Sequence, residues 1–258
     1  MPTVVVANTK GGSGKTTTAL VFAGEIVAAG GKVVILEGDP NRPMARWATR
    51  RGTPVIEANK TKVGSAADAE GEIRTIAGES RIVVITTDND DEAVFDWIEG
   101  ASAWSHFIVA DPEGSPNQWL NSVASQADLV LIPFAPTTLD ANQVARTIQV
   151  IRHIEKMARK TVLHRILVTK ASPGAVVTRD EREIRENLAK NGLPLMTTTL
   201  HDRPAFRALF KFDALLSDLP VSQAPEHQVN GLAGARADAK ALSEEILTLL
   251  TQAQEQAA

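Results

Sequence analysis

Six short runs of apolar, mostly β-branched residues punctuate the chain. They are TVVVAN (Thr3–Asn8), KVVILEGD (Lys32–Asp39), RIVVITT (Arg81–Thr87), FIVAD (Phe107–Asp111), DLVLIPF (Asp128–Phe134) and RILVTK (Arg165–Lys170). Such continuous runs predict strands buried on both faces rather than half-solvated ones. Between most of them lie stretches with helical spacing, the first being TTTALVFAGEIVAAGG, closed by Gly30 and Gly31. Strands separated by helices predict an α/β fold, a mostly parallel twisted sheet with helices on both faces. No internal repeat or low-complexity linker interrupts the pattern, which predicts one domain over residues 1–258.

Two parts follow this rhythm less closely. Residues 52–80 are small, polar and weakly periodic, which predicts a peripheral elaboration. Residues 232–255 carry Leu242, Ile246, Leu249 and Leu250 at helical spacing, which predicts a C-terminal helix packed on the sheet.

Composition narrows the class. A hydrophobic fraction of 43% and a charged fraction of 22% over 258 residues describe an ordinary globular protein. With no cysteine there is neither a disulfide nor a thiolate metal site, in keeping with a reducing cytoplasm. The N-terminal MPTVVVANTK has no basic leader and no long apolar run, so neither a secretory signal nor a transmembrane helix is expected. The net charge of −4 hides an asymmetry. Between Arg146 and Lys211 stand 14 Lys and Arg against 6 Asp and Glu, leaving −12 for the rest. A basic third on an acidic protein suits an anionic polymer, although solvated helix faces would give the same count.

The chemistry concentrates at NTKGGSGKTTTA, Asn8 to Ala19. Gly11, Gly12 and Gly14 let backbone N–H groups turn inward around phosphate oxygens, where a β-carbon would clash. Lys15 then points along the β- and γ-phosphates, and Thr16 offers a hydroxyl to Mg²⁺. Ser13 and Thr17 complete a nucleotide-binding stretch, and the following helix directs its positive N-terminus at the same anion. Asp111 ends an apolar strand, where a carboxylate supports Mg²⁺ through water, and Asp39 ends another at the ligand-binding edge of the sheet. A nucleotide with Mg²⁺ is therefore the expected ligand pair, and the choice of ATP among nucleotides is left to the resemblance below. Lys10 is the surplus. It precedes the glycines and emerges on the outer lip, where it either reaches a nucleotide held by a second molecule or is simply solvated.

KGGSGKTT resembles the deviant Walker A motif of the ParA/MinD family, in which the early lysine is the signature residue. EGDPNRP resembles that family's switch and FIVADPEGS its Walker B strand. The resemblance continues through LIPFAPTTLDANQV and RILVTK. It implies an ATPase in which Lys10 acts across an ATP-sandwich homodimer. Lys15 and Thr16 then hold phosphate and Mg²⁺, Asp39 orients the attacking water, and Asp111 supports the metal.

GDPNRPMARW, TTLDANQVARTIQVI and LHDRPAFRALF are similar to small ParA-type proteins, among them ParF-like partition ATPases and VirC-type T-DNA transfer proteins. The phosphate loop begins almost at once, so no helix-turn-helix extension is expected before it. The final EILTLLTQAQEQAA has no Lys or Arg with which to meet anionic lipid, so no membrane attachment is expected. The resemblance implies slow, partner-stimulated hydrolysis and ATP-dependent, non-specific DNA binding. It also implies a ParB/ParG-like or relaxosome-type stimulating protein, and a cytoplasmic, nucleoid-associated location. The cargo would be a plasmid, a DNA-transfer complex or a protein cluster.

For DNA, two stripes are predicted: Arg179, Arg182 and Arg185 at steps of three, and Arg203, Arg207 and Lys211 at steps of four. Pairing of these arginines with nearby acids is the competing expectation. Four departures stand out, one being the 52–80 segment, longer than in close relatives. Glu37 replaces the usual aspartate, Pro112-Glu113 follows Asp111, and LVTKASPG lacks an asparagine that often reads the adenine edge. A metabolic P-loop ligase or kinase of the same superfamily is the alternative function, though no second catalytic constellation is visible. A cluster-bearing reductase is excluded by the absence of cysteine. His106, His164 and His201 are scattered and are expected to be structural or on the surface.

Overall fold

The computed structural model describes residues 1–88, 93–173, 177–219 and 226–257. Among these residues eight strands form one sheet in the order β3-β4-β2-β5-β1-β6-β7-β8. They are β1 (Thr3–Val6), β2 (Val33–Glu37), β3 (Val55–Glu57), β4 (Ile82–Thr86), β5 (Phe107–Asp111), β6 (Leu129–Phe134), β7 (His164–Ala171) and β8 (Leu195–His201). Every strand pair among the described residues is parallel.

The continuous apolar runs are explained by cores on both faces. Alternate side chains of one strand enter opposite cores, Val4 and Val6 one of them and Val5 and Ala7 the other. Helices α1 (Lys15–Ala28), α2 (Pro43–Arg51), α8 (Pro204–Lys211) and α9 (Glu226–Ala257) fill the first face. The second is covered by α3 (Ala66–Ala77), α4 (Val94–Trp104), α5 (Gln118–Ser125), α6 (Thr138–Ala158) and α7 (Arg179–Lys190).

Six strands coincide with the apolar runs, and two more extend the edges. β3 is only three residues long and lies within the 52–80 segment. That segment also supplies α3, whose Ala69, Ile73 and Ala77 are buried against the sheet. Gly100 of α4 lets the two helices approach closely: a β-carbon there would fall 2.6 Å from Ala69 Cβ and 2.7 Å from the Ala66 carbonyl oxygen. β8 has the polar sequence LMTTTLH and forms the other edge. Its exposed amides are partly closed by α9, where the Glu245 carboxylate accepts from Thr197 N and Thr198 N, each at 2.8 Å. The 232–255 stretch lies in α9, with Leu242, Ile246 and Leu250 buried and Leu249 partly so.

A parallel sheet gathers all its strand C-termini at one edge. β1, β5 and β2 are neighbours there, and Glu37 sits in register with Asp111. The glycine loop after β1, Asp111 at the end of β5 and Asp39 just past β2 are therefore brought together.

Candidate nucleotide site

The loop from Asn8 to Gly14 takes the conformation its glycines permit. Gly12 (φ 76°) and Gly14 (φ 96°) have left-handed backbones, and Gly14 caps α1. A β-carbon on Gly14 would also press to 3.3 Å from Thr169 Oγ1. The loop is anchored on its outer side by β7, where Thr169 Oγ1 donates to Ser13 O (2.8 Å) and Lys170 Nζ to Gly12 O (2.6 Å). On its entry side, Asn8 Nδ2 donates to Pro133 O at 2.7 Å, and the Asn8 Oδ1 accepts from Lys10 N at 2.9 Å.

Lys15 is buried and its ammonium donates to Lys10 O at 3.3 Å. Burial lowers its pKa, while Asp111, Asp39 and Glu113 pull the other way. Asp111 is 1% exposed, and neither carboxylate oxygen has a hydrogen-bond partner. Burial pushes its pKa up to about 7, against the Thr16 hydroxyl and the Lys15 ammonium, which lie near enough to favour the ionised form without completing a hydrogen bond to it. Two orphaned oxygens at the mouth of a phosphate-binding loop fit a cation bound with a nucleotide. The described residues contain no cluster of three or more acidic or histidine ligands and so offer no metal cage of their own. A Mg²⁺ completed by phosphate oxygens and water suits the Thr16, Asp39 and Asp111 donor set.

Asp39 is half-buried, and its Oδ1 accepts from Asn41 N (2.8 Å) and Asn41 Nδ2 (3.0 Å). The loop after it is tied down by Arg42. That guanidinium reaches Glu57 Oε2 at 2.7 Å and the Asp88 carboxylate. Arg42 itself has a left-handed backbone (φ 49°) at the N-cap of α2 and gives that helix no side-chain cap. Glu37 does so instead, its buried carboxylate accepting from Met44 N (2.5 Å) and Ala45 N (2.9 Å). The Glu-for-Asp departure thus supplies a longer arm that caps a helix. Burial raises the Glu37 pKa to about 7, and the two amides oppose the shift.

Lys10 is neither free nor simply solvated. Its ammonium pairs with Asp140 in the first turn of α6. Thr9 joins the same helix through Gln143 Oε1 (3.2 Å) and Thr147 Oγ1.

Beside the loop, Gly14, Thr17, Thr18, Lys170, His201, Asp202, Arg203 and Phe206 line a cleft of about 350 Å³. His201, expected to be structural or on the surface, is in its wall and pairs with Asp238 of α9 at 3.0 Å. Of LVTKASPG, Gly174 lies outside the described residues.

In the basic stripes Arg179, Arg185, Arg203 and Arg207 find acids, as the competing expectation had it. Arg185 is held by Glu181 (2.8 Å) and Thr199 Oγ1 (2.9 Å), and Arg203 by Asp238 (2.7 Å) in the cleft wall. Arg185 and Arg203 are thus removed from any free stripe. Arg179 pairs with Glu183 and Arg207 with Asp202, both at the surface. Among the described residues no acid partner is recorded for Arg182 or Lys211, the latter lying 5.2 Å over the Phe212 ring. Sequence reasoning also missed Gly114, where a β-carbon would lie 3.2 Å from both Gly11 N and Lys15 Nζ. The Asp-x-x-Gly spacing from Asp111 was the available signal.

A parallel sheet, a strand-loop-helix phosphate cradle and acids at the ends of adjacent strands define a P-loop nucleotide-binding protein. The family described as ATPase MipZ matches residues 2–208, and the chain belongs to it. Protein ParA of Rhizobium radiobacter is 32% identical over 98% of this chain and 99% of its own. Protein virC1 of the same organism is 26% identical over 78% of this chain and 76% of its own. In structure, a complex of a Cyanothece McdA variant with ATP superposes with a TM-score of 0.69. It is 17% identical and covers 95% of this chain and 96% of the other. The chain is a ParA-like ATPase; the metabolic ligase or kinase reading is not supported. No helix among the described residues is long and apolar enough to cross a membrane.

Proposed function

We propose that this ATPase works as a nucleotide switch, in which ATP joins two copies face to face and hydrolysis parts them. The observation that carries the reading is Asp111, buried with both oxygens unpartnered between Lys15, Thr16 and Asp39. An orphaned buried carboxylate is costly unless a ligand completes it, and Mg²⁺ with ATP does so. The loop from Lys10 to Thr17 holds the phosphates, with Lys15 matched to the β- and γ-oxygens and the base in the cleft walled by His201 and Arg203. Thr16, Asp39 and Asp111 hold the cation, directly or through water. When bound, it neutralises charge on the phosphates. Asp39 orients the attacking water, and Lys10 of each copy serves the phosphates of the other.

The dimer binds DNA without regard to sequence through exposed cations of the Arg146–Lys211 region, here Arg182 and Lys211, with Arg179 and Arg207 released from weak surface pairs. Turnover is slow until a ParB/ParG-like or relaxosome-type protein stimulates it. The cycle positions a plasmid, a DNA-transfer complex or a protein cluster from a cytoplasmic, nucleoid-associated pool. The similarity to Protein ParA supports this reading.

Calorimetry tests it at the carrying residue. Asp111→Asn should keep the fold, judged by an unchanged or higher melting temperature, and lose the Mg²⁺-dependent part of ATP affinity. Equal ATP affinity with and without Mg²⁺ in the unchanged protein would overturn the assignment.

A further inference from the structure

Trp119, in the first turn of α5, is completely buried in the second of the two cores. The six-membered ring of its indole packs against Gly38. A β-carbon on Gly38 would fall 2.6 Å from Trp119 Cε3, 2.7 Å from Cδ2 and 2.8 Å from Cζ3, closer than real atoms approach. Only glycine therefore permits this contact. The ring is also pinned at its other side, where Nε1 donates to Thr87 Oγ1 at 2.6 Å. Thr87 N donates in turn to Glu37 O at 3.2 Å, the carbonyl directly before Gly38.

Gly38 immediately precedes Asp39. Trp119 follows the loop that leaves Asp111 and touches the phosphate loop at Gly114, where a β-carbon would meet Gly11 N and Lys15 Nζ. Asn117 fixes the end of that loop by accepting from Leu120 N at 2.8 Å. One short segment thus contacts the phosphate cradle at one end and the residue before Asp39 at the other.

We infer that Trp119 is a positioning residue that couples the loop after Asp111 to Asp39 by packing on Gly38. A shift of the Gly114 loop toward or away from phosphate moves the start of α5, and the ring carries Gly38 and Asp39 with it. The inference rests on the assignment of Asp39 to the attacking water.

The test is steady-state ATP hydrolysis by Gly38→Ala, Trp119→Leu and the double variant, with ATP binding followed by calorimetry and folding by thermal melts. Both single variants should lower kcat roughly tenfold or more, as small misplacements at a reacting centre do, with KM and ATP affinity nearly unchanged. The double variant should be no slower than Trp119→Leu alone, because the added methyl no longer meets a ring. Trp119→Phe, which keeps most of the packing but loses the bond to Thr87, should be slowed less than Trp119→Leu. Normal kcat in Gly38→Ala, or losses confined to KM or melting temperature, would overturn the coupling. Absence of ATP binding by the unchanged protein would overturn the nucleotide reading and this inference together, so the two failures are distinguishable.

Discussion

Lys10 and Asp140 form an ion pair that ties the first turn of α6 to the lip of the phosphate loop. The lysine side chain is 35% exposed and the aspartate 7% exposed. A lysine that serves a second molecule's nucleotide must first leave this aspartate. The lysine can turn to solvent, but Asp140 would then be left buried and unpaired, which is the larger cost of parting them. Asp140→Asn removes that cost and should therefore favour the ATP-bound dimer, by roughly tenfold or more at a given protein concentration. Sedimentation velocity with ATP and Mg²⁺ measures it. A dimer weakened by the substitution would instead put Asp140 inside the interface.

Lys15 faces Asp111, Asp39 and Glu113, all of which favour its charged form. Lys15→Ala leaves three carboxylates to meet an incoming triphosphate. ATP affinity should fall roughly a hundredfold or more, since losing one partner of a buried charge set costs ~3–5 kcal/mol. Calorimetric titration reads the loss directly, and affinity within a few-fold of the unchanged protein would refute the assignment.

The contact between α3 and α4 predicts a stability effect far from the site. Gly100→Ala would push a methyl against Ala69 and the Ala66 carbonyl. Overpacking of this kind costs about 1–3 kcal/mol, and each kcal/mol lowers the melting temperature by roughly 2–4 °C in a chain of this size. ATP binding should be unaffected. An unchanged melting temperature would show that the helices separate without cost.

The arginines separate into two groups with different expected phenotypes. Arg182→Glu with Lys211→Glu should reduce ATP-dependent DNA retention and flatten its log–log salt dependence by about 0.9 per lost phosphate contact. Arg185→Ala should instead destabilise the protein, because Glu181 is 4% exposed and would be left with an unpaired charge. Fluorescence anisotropy with duplexes of unrelated sequence, beside thermal melts, distinguishes the two. Unchanged retention in the double variant would move the DNA surface elsewhere.

The strands of the sheet centre were legible because residues buried on both faces must be apolar throughout, as VVILE and LVLIPF are. β8 was hidden by Thr197, Thr198 and Thr199, which an edge position tolerates, and β3 by its three-residue length. The phosphate loop was legible because phosphate chemistry dictates glycines, a lysine and a hydroxyl at fixed spacing. Asp140 was not, since it meets Lys10 across 130 residues of chain. The same limit applies to the basic stripes. The spacing of Arg203 and Arg207 is regular, but the acid that claims Arg203 is 35 residues away on α9. Local periodicity reports which residues share a helix face and says nothing of what packs against it.

The central claim is that ATP joins two copies and that Asp39 is needed to part them. Sedimentation velocity on Asp39→Ala, with ATP and Mg²⁺, tests it most directly. The account predicts a dimer that outlasts that of the unchanged protein and reverts to monomer when Lys10→Ala is added. An Asp39→Ala protein that binds ATP and stays monomeric would contradict it.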